Sequence, residues 1–219
     1  MFSHQISTLA LHFYINQLVF VMILSIKNFV KLTQIVVILS MLSCSSEKTY
    51  EIGEIKTPKG DILIWLYDET PKHKESFKEL ANTGYWDSLT FNRVIPNFVA
   101  QGGCPDTPEG FTDPEYLLEP EFNDGLQHVY GAVGAGRDDN PGMISARCQF
   151  YVVQNKEGIH RLDNKFTVFG KVIKGMDVID TIVNVERDST NTPLIPITLD
   201  VNMISIDETQ LKALYPEFE

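Results

Sequence analysis

The residues that could do chemistry are concentrated in one stretch, residues 91–103, which reads Phe-Asn-Arg-Val-Ile-Pro-Asn-Phe-Val-Ala-Gln-Gly-Gly. If this stretch begins as a strand, side-chain alternation places Phe91, Arg93 and Ile95 on one face. An arginine on an apolar face is costly unless it is paired or meets a ligand. Gln101 adds an amide, and the glycine pair that follows it allows close approach of the backbone. The pattern therefore predicts a guanidinium and an amide at one apolar site.

Two later segments add apolar side chains and a second amide. Gln149 and Tyr151 share a face of another predicted strand, and Leu162 and Phe166 flank a tight turn. Together with Phe98 they predict an apolar pocket around the arginine. These segments contain no nucleophile–base pair and no paired carboxylates, so they give no support to hydrolytic chemistry. Each residue alone also fits a core, a loop or a surface ion pair, and the prediction rests on their combination.

The composition is that of a globular protein with an acidic surface. Of the 219 residues, 43% are hydrophobic and 21% are charged, and the formal net charge is −11 at pH 7. This charge argues against nucleic acid as a partner, because phosphate binding needs a basic surface. It also argues against electrostatic adhesion to anionic lipid. Three cysteines are too few for a disulfide scaffold.

The first 43 residues differ in composition from the rest of the chain. They contain no Asp or Glu, and their two basic residues, Lys27 and Lys31, precede the apolar stretch 32–42. This order is typical of a signal peptide, and Met22 is a candidate for the true start. Loss of residues 1–43 would remove two positive charges and leave a mature chain of net charge −13.

The end of that segment, Met41-Leu42-Ser43-Cys44, resembles a bacterial lipobox, in which the cysteine becomes the lipidated N-terminus. Lipid on Cys44 would hold the domain at a membrane without a spanning helix, with residues 44–50 as the tether. The alternatives are a plain cleaved signal peptide or a single anchor helix with an incidental cysteine. The expected location is the bacterial cell envelope, at the outer membrane and facing the periplasm.

Alternating patterns and turn signals predict many short strands and two helices in the mature chain. The strands are predicted at 50–57, 61–67, 90–98, 129–133, 149–154, 166–172 and 196–206. The helices are predicted at 71–83, with Thr70 as N-cap, and at 174–184, and the long loops at 102–125 and 137–146. Many short strands favour a closed antiparallel barrel, which leaves no exposed sheet edge.

Three blocks of the sequence resemble the cyclophilin family of peptidyl-prolyl cis–trans isomerases, over about residues 50–207. The blocks are Phe91-x-Arg93-x-Ile95-x-x-Phe98-x-x-Gln101-Gly102-Gly103, Gln149-Phe150-Tyr151, and Leu162-Asp163-Asn164-Lys165-Phe166-Thr167-Val168-Phe169-Gly170-Lys171-Val172. The resemblance implies a mainly β fold, a closed eight-stranded antiparallel β-barrel capped by two α-helices. The isomerase domain would span residues 51–207, and residues 208–219 would form a C-terminal tail. The resemblance implies no cofactor and no metal.

The resemblance also implies roles for individual residues in rotation about an X–Pro bond. Arg93 would donate a hydrogen bond to the prolyl nitrogen, Gln101 would orient Arg93 or the substrate carbonyl, and the proline ring would lie on Phe98. The backbone near Ala135-Gly136 would pair with the peptide. The substrate-binding set comprises Val99, Ala135, Gly136, Gln149, Tyr151, Leu162, Phe166 and Arg147.

Several positions depart from the family pattern. Val99 stands where Met is common, and Arg161 stands where eukaryotic members carry Trp, which argues against cyclosporin binding. Arg147 is expected to narrow a neighbouring subsite or to attract an acidic residue upstream of proline. Cys104 and Cys148 also depart from the family, and the sequence fits either a disulfide or two independent buried cysteines.

Two functional classes remain open at this point. The first is a prolyl isomerase that assists folding of envelope proteins, and the second is a non-catalytic proline-segment binding module or chaperone of the same fold. An oxidoreductase is disfavoured because the chain has no C-x-x-C motif. The expected partners are proline-containing polypeptides, with the membrane contacted through the lipid anchor alone, and the expected state is a monomer.

Overall fold

The computed structural model describes residues 48–104 and 117–218, and Met22 and Ser25 singly. Apart from Met22 and Ser25, the predicted signal peptide lies outside the described residues, as do Cys44, the first part of the tether and the 105–116 part of the predicted loop. Residues 48–219 form one unit by themselves. Within the described residues, no helix has the length and apolar character needed to cross a membrane.

Residues 48–104 and 117–218 contain ten strands, three α-helices and a short 3-10 helix. The strands are β1 (Thr49–Thr57), β2 (Gly60–Leu66), β3 (Leu89–Ile95), β4 (Val99–Gly103), β5 (Leu117–Leu118), β6 (Ala132–Ala135), β7 (Ser145–Ala146), β8 (Gln149–Val153), β9 (Val168–Lys174) and β10 (Thr198–Asp207). The helices are α1 (Pro71–Asn82), α2 (Met176–Val183) and α3 (Glu208–Leu214), and the 3-10 helix is His160–Leu162.

Eight of the strands close into an antiparallel barrel in the order β1-β10-β3-β4-β8-β6-β9-β2. The predicted closed eight-stranded barrel is therefore confirmed. Strands β5 and β7 form a separate two-stranded pair outside it. Closure gives each barrel strand two partners, so no barrel edge is left to pair with another chain.

The barrel interior and the two larger helices share one hydrophobic core. Phe91 and Phe150 fill the interior, Phe77 enters from α1, and Ile179 and Ile182 enter from α2. Burial of each such side chain contributes about 1.5–3 kcal/mol of transfer free energy. Since the interior is filled by side chains, a ligand site has to lie on the outer surface of the barrel.

The N-terminus of α1 is capped by a distant residue. Thr70 occupies the N-cap position as predicted, but its side chain makes no capping hydrogen bond. Instead, the carboxylate of Glu121 accepts the backbone N–H groups of Lys72 at 3.0 Å and His73 at 2.9 Å. A carboxylate here satisfies unpaired N–H groups and interacts favourably with the helix dipole.

The predicted strand at 90–98 ends at Ile95 as β3, and residues 96–98 form a tight turn, which corrects the sequence-based interpretation. The N–H of Phe98 donates to the carbonyl of Ile95 at 3.1 Å, and Asn97 has a positive φ of 56°. Proline at the second turn position and asparagine with positive φ at the third are typical of a type II turn. The chain then returns as β4, whose last residues had been predicted as the start of a loop.

The C-terminal tail contains a helix that the sequence reading did not predict. Helix α3 starts after Asp207, whose side chain accepts the N–H of Gln210 at 2.8 Å, while the Gln210 side chain accepts the N–H of Asp207 at 3.1 Å. This reciprocal pair is a capping box. The short strands β5 and β7 likewise lie inside the two predicted loops, and the other predicted helices and strands agree with the structure to within three residues at each end.

Candidate active site

Four neighbouring strands align the central residues of the site. Arg93 on β3 is directly opposite Gln101 on β4, Gln101 is opposite Tyr151 on β8, and Tyr151 is opposite Gly134 on β6. Side chains at directly paired positions project from the same face of a sheet. The row therefore lies on the outer face of the barrel, while Ala100 and Phe150 on the same strands point into the core.

A β-bulge separates Phe91 from Arg93 and corrects the prediction that they share a face. The register between β3 and β4 shifts between these two residues, with Asn92 left without a strand partner. Phe91 is consequently in the barrel core, and Val94 joins it there, whereas Arg93 faces outward. Bulges commonly re-aim a side chain next to a functional site.

The row of residues opens into a pocket of about 520 Å³. The pocket is lined by nine of the predicted site residues and two additional arginines: Arg93, Phe98, Val99, Gln101, Gly136, Gln149, Tyr151, Leu162 and Phe166, with Arg137 and Arg161. The structure thus brings together side chains from three blocks that are far apart in sequence.

Arg93 is held over the pocket by Gln101. Its Nη1 donates to Oε1 of Gln101 at 3.0 Å, and its Cζ lies 6.0 Å from the centre of the Phe98 ring. Gln101 itself is buried. A guanidinium carries five N–H donors, so one bond to Gln101 leaves donors for a ligand. The arginine is therefore positioned at the edge of an apolar surface with hydrogen-bonding capacity to spare.

The apolar part of the pocket belongs to a small cluster that is separate from the barrel core. The cluster joins Val99 and Tyr151 to the partly buried rings and aliphatic groups of Phe98, Leu162 and Phe166. The Tyr151 and Phe166 rings meet edge to face at 6.2 Å between centres. Such a surface suits a small apolar ring better than a charged or extended group.

A buried histidine, His128, contacts the pocket residue Tyr151 and was not predicted from the sequence. Nε2 of His128 lies 2.8 Å from the Tyr151 hydroxyl, and Nδ1 lies 2.7 Å from a carboxylate oxygen of Asp163. Burial lowers the pKa of His128. Burial alone would raise the pKa of Asp163, but hydrogen bonds from His128 and His160 hold it below its usual value.

These pKa directions define the protonation of the network. A neutral His128 donates its Nδ1 proton to the ionised Asp163 carboxylate and accepts the Tyr151 hydroxyl proton at Nε2. Every polar atom of the imidazole is then paired. In the sequence, a single histidine in a short apolar stretch gives no signal of such a role, because its partners lie 23 and 35 residues away.

Arg147, a predicted substrate-binding residue, does not reach the pocket. Its Nε donates to the Ser76 hydroxyl at 2.8 Å, and its Nη2 donates to the Glu79 carboxylate at 2.6 Å, both on α1. The helix supplies an ion-pair partner that the sequence distance of 68 residues conceals. Arg147 is therefore held against α1 and does not line this pocket, and its expected effect on a neighbouring subsite stays a prediction.

The predicted peptide-pairing backbone at Ala135-Gly136 is largely occupied. The Ala135 N–H donates to the Thr167 carbonyl at 2.9 Å, and the Gly136 N–H donates to the Gln149 carbonyl at 2.8 Å. The Gly136 carbonyl accepts the N–H of Ala146 at 2.8 Å. Gly136 lines the pocket, but Ala135 does not. A peptide that paired with these two N–H groups would have to replace these bonds.

Cys104 and Cys148 form a disulfide, which decides between the two possibilities left by the sequence. The bridge joins the ends of β4 and β8, the strands that carry Gln101 and Tyr151. The Cys104 carbonyl also accepts the side-chain amide of Gln149 at 3.3 Å. The bridge therefore fixes the edge of the pocket where these strands meet.

Comparisons with known proteins agree with this geometry. A sequence model described as "Cyclophilin type peptidyl-prolyl cis-trans isomerase/CLD" matches residues 52–202. The peptidyl-prolyl cis-trans isomerase of Acinetobacter baylyi is 34% identical over 154 residues, covering 67% of this chain and 81% of the relative. Peptidyl-prolyl cis-trans isomerase ppi1 of Schizosaccharomyces pombe is 35% identical over 150 residues, covering 67% and 94% respectively.

The solved structures give the same fold. A cyclophilin-type peptidyl-prolyl cis-trans isomerase of Cryptosporidium parvum, crystallised in the presence of the dipeptide Ala-Pro, matches with a TM-score of 0.62 at 23% identity. The match covers 72% of this chain and 99% of that one. The barrel and the sequence relatives together define a prolyl isomerase fold. The chain belongs to the family of cyclophilin-type peptidyl-prolyl cis–trans isomerases.

Proposed function

We propose that this isomerase rotates X–Pro bonds in the pocket described above, with Arg93 stabilising the twisted amide. The observation that supports this most directly is the position of the Arg93 guanidinium, held by Gln101 at 3.0 Å beside the Phe98 ring. A proline ring resting on Phe98 would place its nitrogen within reach of that guanidinium.

The chemistry requires no proton transfer and no covalent step. Rotation about the bond must break amide resonance, at a cost of about 18–20 kcal/mol. As resonance is lost, the prolyl nitrogen becomes pyramidal and gains a lone pair that can accept a hydrogen bond. Arg93 donates to this lone pair more strongly than to the planar ground state, and such differential binding lowers the barrier.

The remaining pocket residues have positioning roles in this account. Phe98, Tyr151, Leu162 and Phe166 hold the proline ring and exclude water, which strengthens the hydrogen bond from Arg93. Gln101 keeps the guanidinium in place, since its amide oxygen is already bonded to Nη1.

An exchange experiment on a short X–Pro peptide tests the proposal. The full-length chain is added in catalytic amounts, and cis–trans exchange of the peptide is followed by NMR. We expect rapid exchange with the wild type and a loss of about 100-fold or more with Arg93→Ala, as for removal of a single transition-state donor. Arg187→Ala serves as the matched control, because Arg187 is an exposed arginine that does not line the pocket.

The same experiment separates the isomerase from the binding module. If the NMR chemical shifts of the peptide show binding to the wild type but no accelerated cis–trans exchange, the catalytic proposal is rejected. A non-catalytic proline-binding module would then be favoured. Equal exchange in the wild type and Arg93→Ala would reject the role of Arg93.

We also propose that the domain acts on proline-containing segments of envelope proteins, held there by lipid on Cys44. The Cys104–Cys148 disulfide supports this, because such bonds persist in oxidising compartments such as the periplasm. A Cys44→Ser variant tests it. We expect wild-type protein to incorporate labelled fatty acid and to fractionate with membranes. Incorporation of the labelled fatty acid by the Cys44→Ser variant would reject lipidation at this residue. So would a wild-type protein that carries no label.

A further inference from the structure

The pocket has the opposite charge to the chain that carries it. Its lining includes three arginines, Arg93, Arg137 and Arg161, and no Asp or Glu among the described residues. The chain as a whole has a formal net charge of −11. A cleft of one charge sign with apolar walls focuses its electrostatic potential on whatever enters it. The pocket should therefore select its ligands by charge as well as by shape.

Arg161 is the most open of the three arginines. Its side chain is exposed, and its Cζ lies 5.0 Å from the centre of the Phe98 ring. The Cζ of Arg93 lies 6.0 Å from the centre of the same ring. Stacking on the ring limits where the guanidinium can go while leaving its N–H donors for other groups. A residue next to a proline seated on Phe98 would therefore lie beside Arg161.

Arg137 lies against Phe166, another ring that lines the pocket. Its Cζ lies 4.3 Å from the centre of the Phe166 ring, and it donates to the backbone carbonyls of Lys165 at 3.1 Å and Asp138 at 2.7 Å. These bonds fix the guanidinium without neutralising its charge. The exposed carboxylates of Asp138 and Asp139 follow it in sequence and weaken its field, but they do not line the pocket.

We propose that the pocket prefers peptides with Asp or Glu directly before or after the proline, with Arg161 as the main specificity residue and Arg137 as the second. This inference deepens the proposed function and rests on it, since both use the same pocket. Guanidinium and carboxylate form strong, directional hydrogen-bonded pairs. The flanking carboxylate would be held while the X–Pro bond rotates.

Paired peptides that differ in a single charge test the preference. Capped pentapeptides of the form Ala-Glu-Pro-Ala-Ala and Ala-Ala-Pro-Glu-Ala are compared with their Gln counterparts, using the full-length chain. NMR gives both the exchange rate constant and the dissociation constant for each peptide. We expect at least one Glu peptide to bind about threefold tighter than its Gln counterpart, as for a partly exposed ion pair. We expect the ratio to fall towards one in 0.5 M NaCl, because salt screens exposed charges.

Two charge-neutralising variants locate the effect. Arg161→Gln should bring the Glu-to-Gln ratio close to one, and Lys59→Gln should leave it unchanged. Lys59 makes a matched control because it is exposed at the turn between β1 and β2 and does not line the pocket. Equal binding of Glu and Gln peptides by the wild type overturns the proposal. So does a preference that survives in the Arg161→Gln, Arg137→Gln double variant.

The two readouts keep this proposal distinct from the proposed function. Exchange on Gln peptides without a preference for Glu would overturn the acidic preference and leave the isomerase intact. A preference in binding without exchange on any peptide would support the acidic preference and reject catalysis. Absence of binding to every peptide would overturn both.

Discussion

The hydroxyl of Tyr151 lies 2.8 Å from Nε2 of His128, so one wall of the proline pocket is fixed by a fully buried imidazole. Asp163 holds the other nitrogen of that imidazole at 2.7 Å, and it lies next to Leu162, another wall residue. The network thus connects two of the three sequence blocks that build the pocket. These hydrogen bonds therefore fix the position of the Tyr151 ring in the pocket wall.

Removing the Tyr151 hydroxyl should destabilise the fold. In Tyr151→Phe, Nε2 of His128 loses its partner in a site that water does not reach. An unsatisfied buried polar atom costs about 1–3 kcal/mol, so we expect the free energy of unfolding to fall by that amount. Urea unfolding followed by fluorescence measures it. Unchanged stability would mean that the hydroxyl is not bonded to the imidazole in solution.

Stability should decrease as the pH is lowered from 7 to 5. Burial lowers the pKa of both His128 and His73 below the ordinary value of 6.5, so the folded protein binds these protons less readily than the unfolded chain. Below about pH 6.5 the unfolded state takes up more protons, and each histidine removes at most about 1.4 kcal/mol per pH unit.

Urea unfolding at pH 7, 6 and 5 checks this dependence, with His128→Asn as the comparison. The variant should lose part of the slope and keep the part due to His73. The lowered pKa values of Asp163 and Glu121 act in the same direction, but their effect begins only as the pH falls into the ordinary range of carboxyl titration, below the pH values used here. Stability that is constant or increasing between pH 7 and 5 would contradict the neutral imidazoles.

Reduction of the Cys104–Cys148 bridge should weaken the domain. The cysteines are 44 residues apart, and closing a loop of that length is worth about 4 kcal/mol in the chain-entropy model. We expect the denaturation midpoint of the wild type in reductant to fall to that of the Cys104→Ala, Cys148→Ala double variant. A thiol titration confirms reduction. A midpoint that does not move once both thiols are free would show that the bridge adds no stability.

Gly134 should tolerate no side chain, because it is directly opposite Tyr151. A Cβ at Gly134 would overlap the Tyr151 ring. Gly134→Ala should therefore displace the ring, reduce peptide binding about tenfold or more, and destabilise the fold by about 1–3 kcal/mol. Gly125→Ala is the control, since its nearest neighbour is the side chain of Asn123 at 3.2 Å. Wild-type binding by Gly134→Ala would show that the pocket does not depend on the position of Tyr151.

Local patterns predicted a closed barrel and placed seven strands, and the resemblance of the three blocks to cyclophilins supplied the eight-strand count and most of the pocket residues. The sequence did not reveal the bulge at Asn92, which turns Arg93 away from Phe91, since period-two alternation assumes an unbroken strand. Nor did it reveal partners fixed only by tertiary packing. The Glu79 carboxylate that holds Arg147 and the Glu121 carboxylate that caps α1 are both distant in sequence.

The role of Arg93 is tested most directly by measuring binding and exchange separately on one X–Pro peptide. The wild type, Arg93→Lys and Arg93→Ala are compared by NMR at saturating protein, with the dissociation constant taken from the same titration. We expect exchange within the bound peptide to fall by about 100-fold in Arg93→Ala and binding to weaken far less, because the guanidinium acts on the twisted amide. Lysine keeps the charge without the planar donor fork, so Arg93→Lys should recover only part of the rate. Exchange in the bound peptide that survives in Arg93→Ala, or that falls only as much as binding does, would contradict the account.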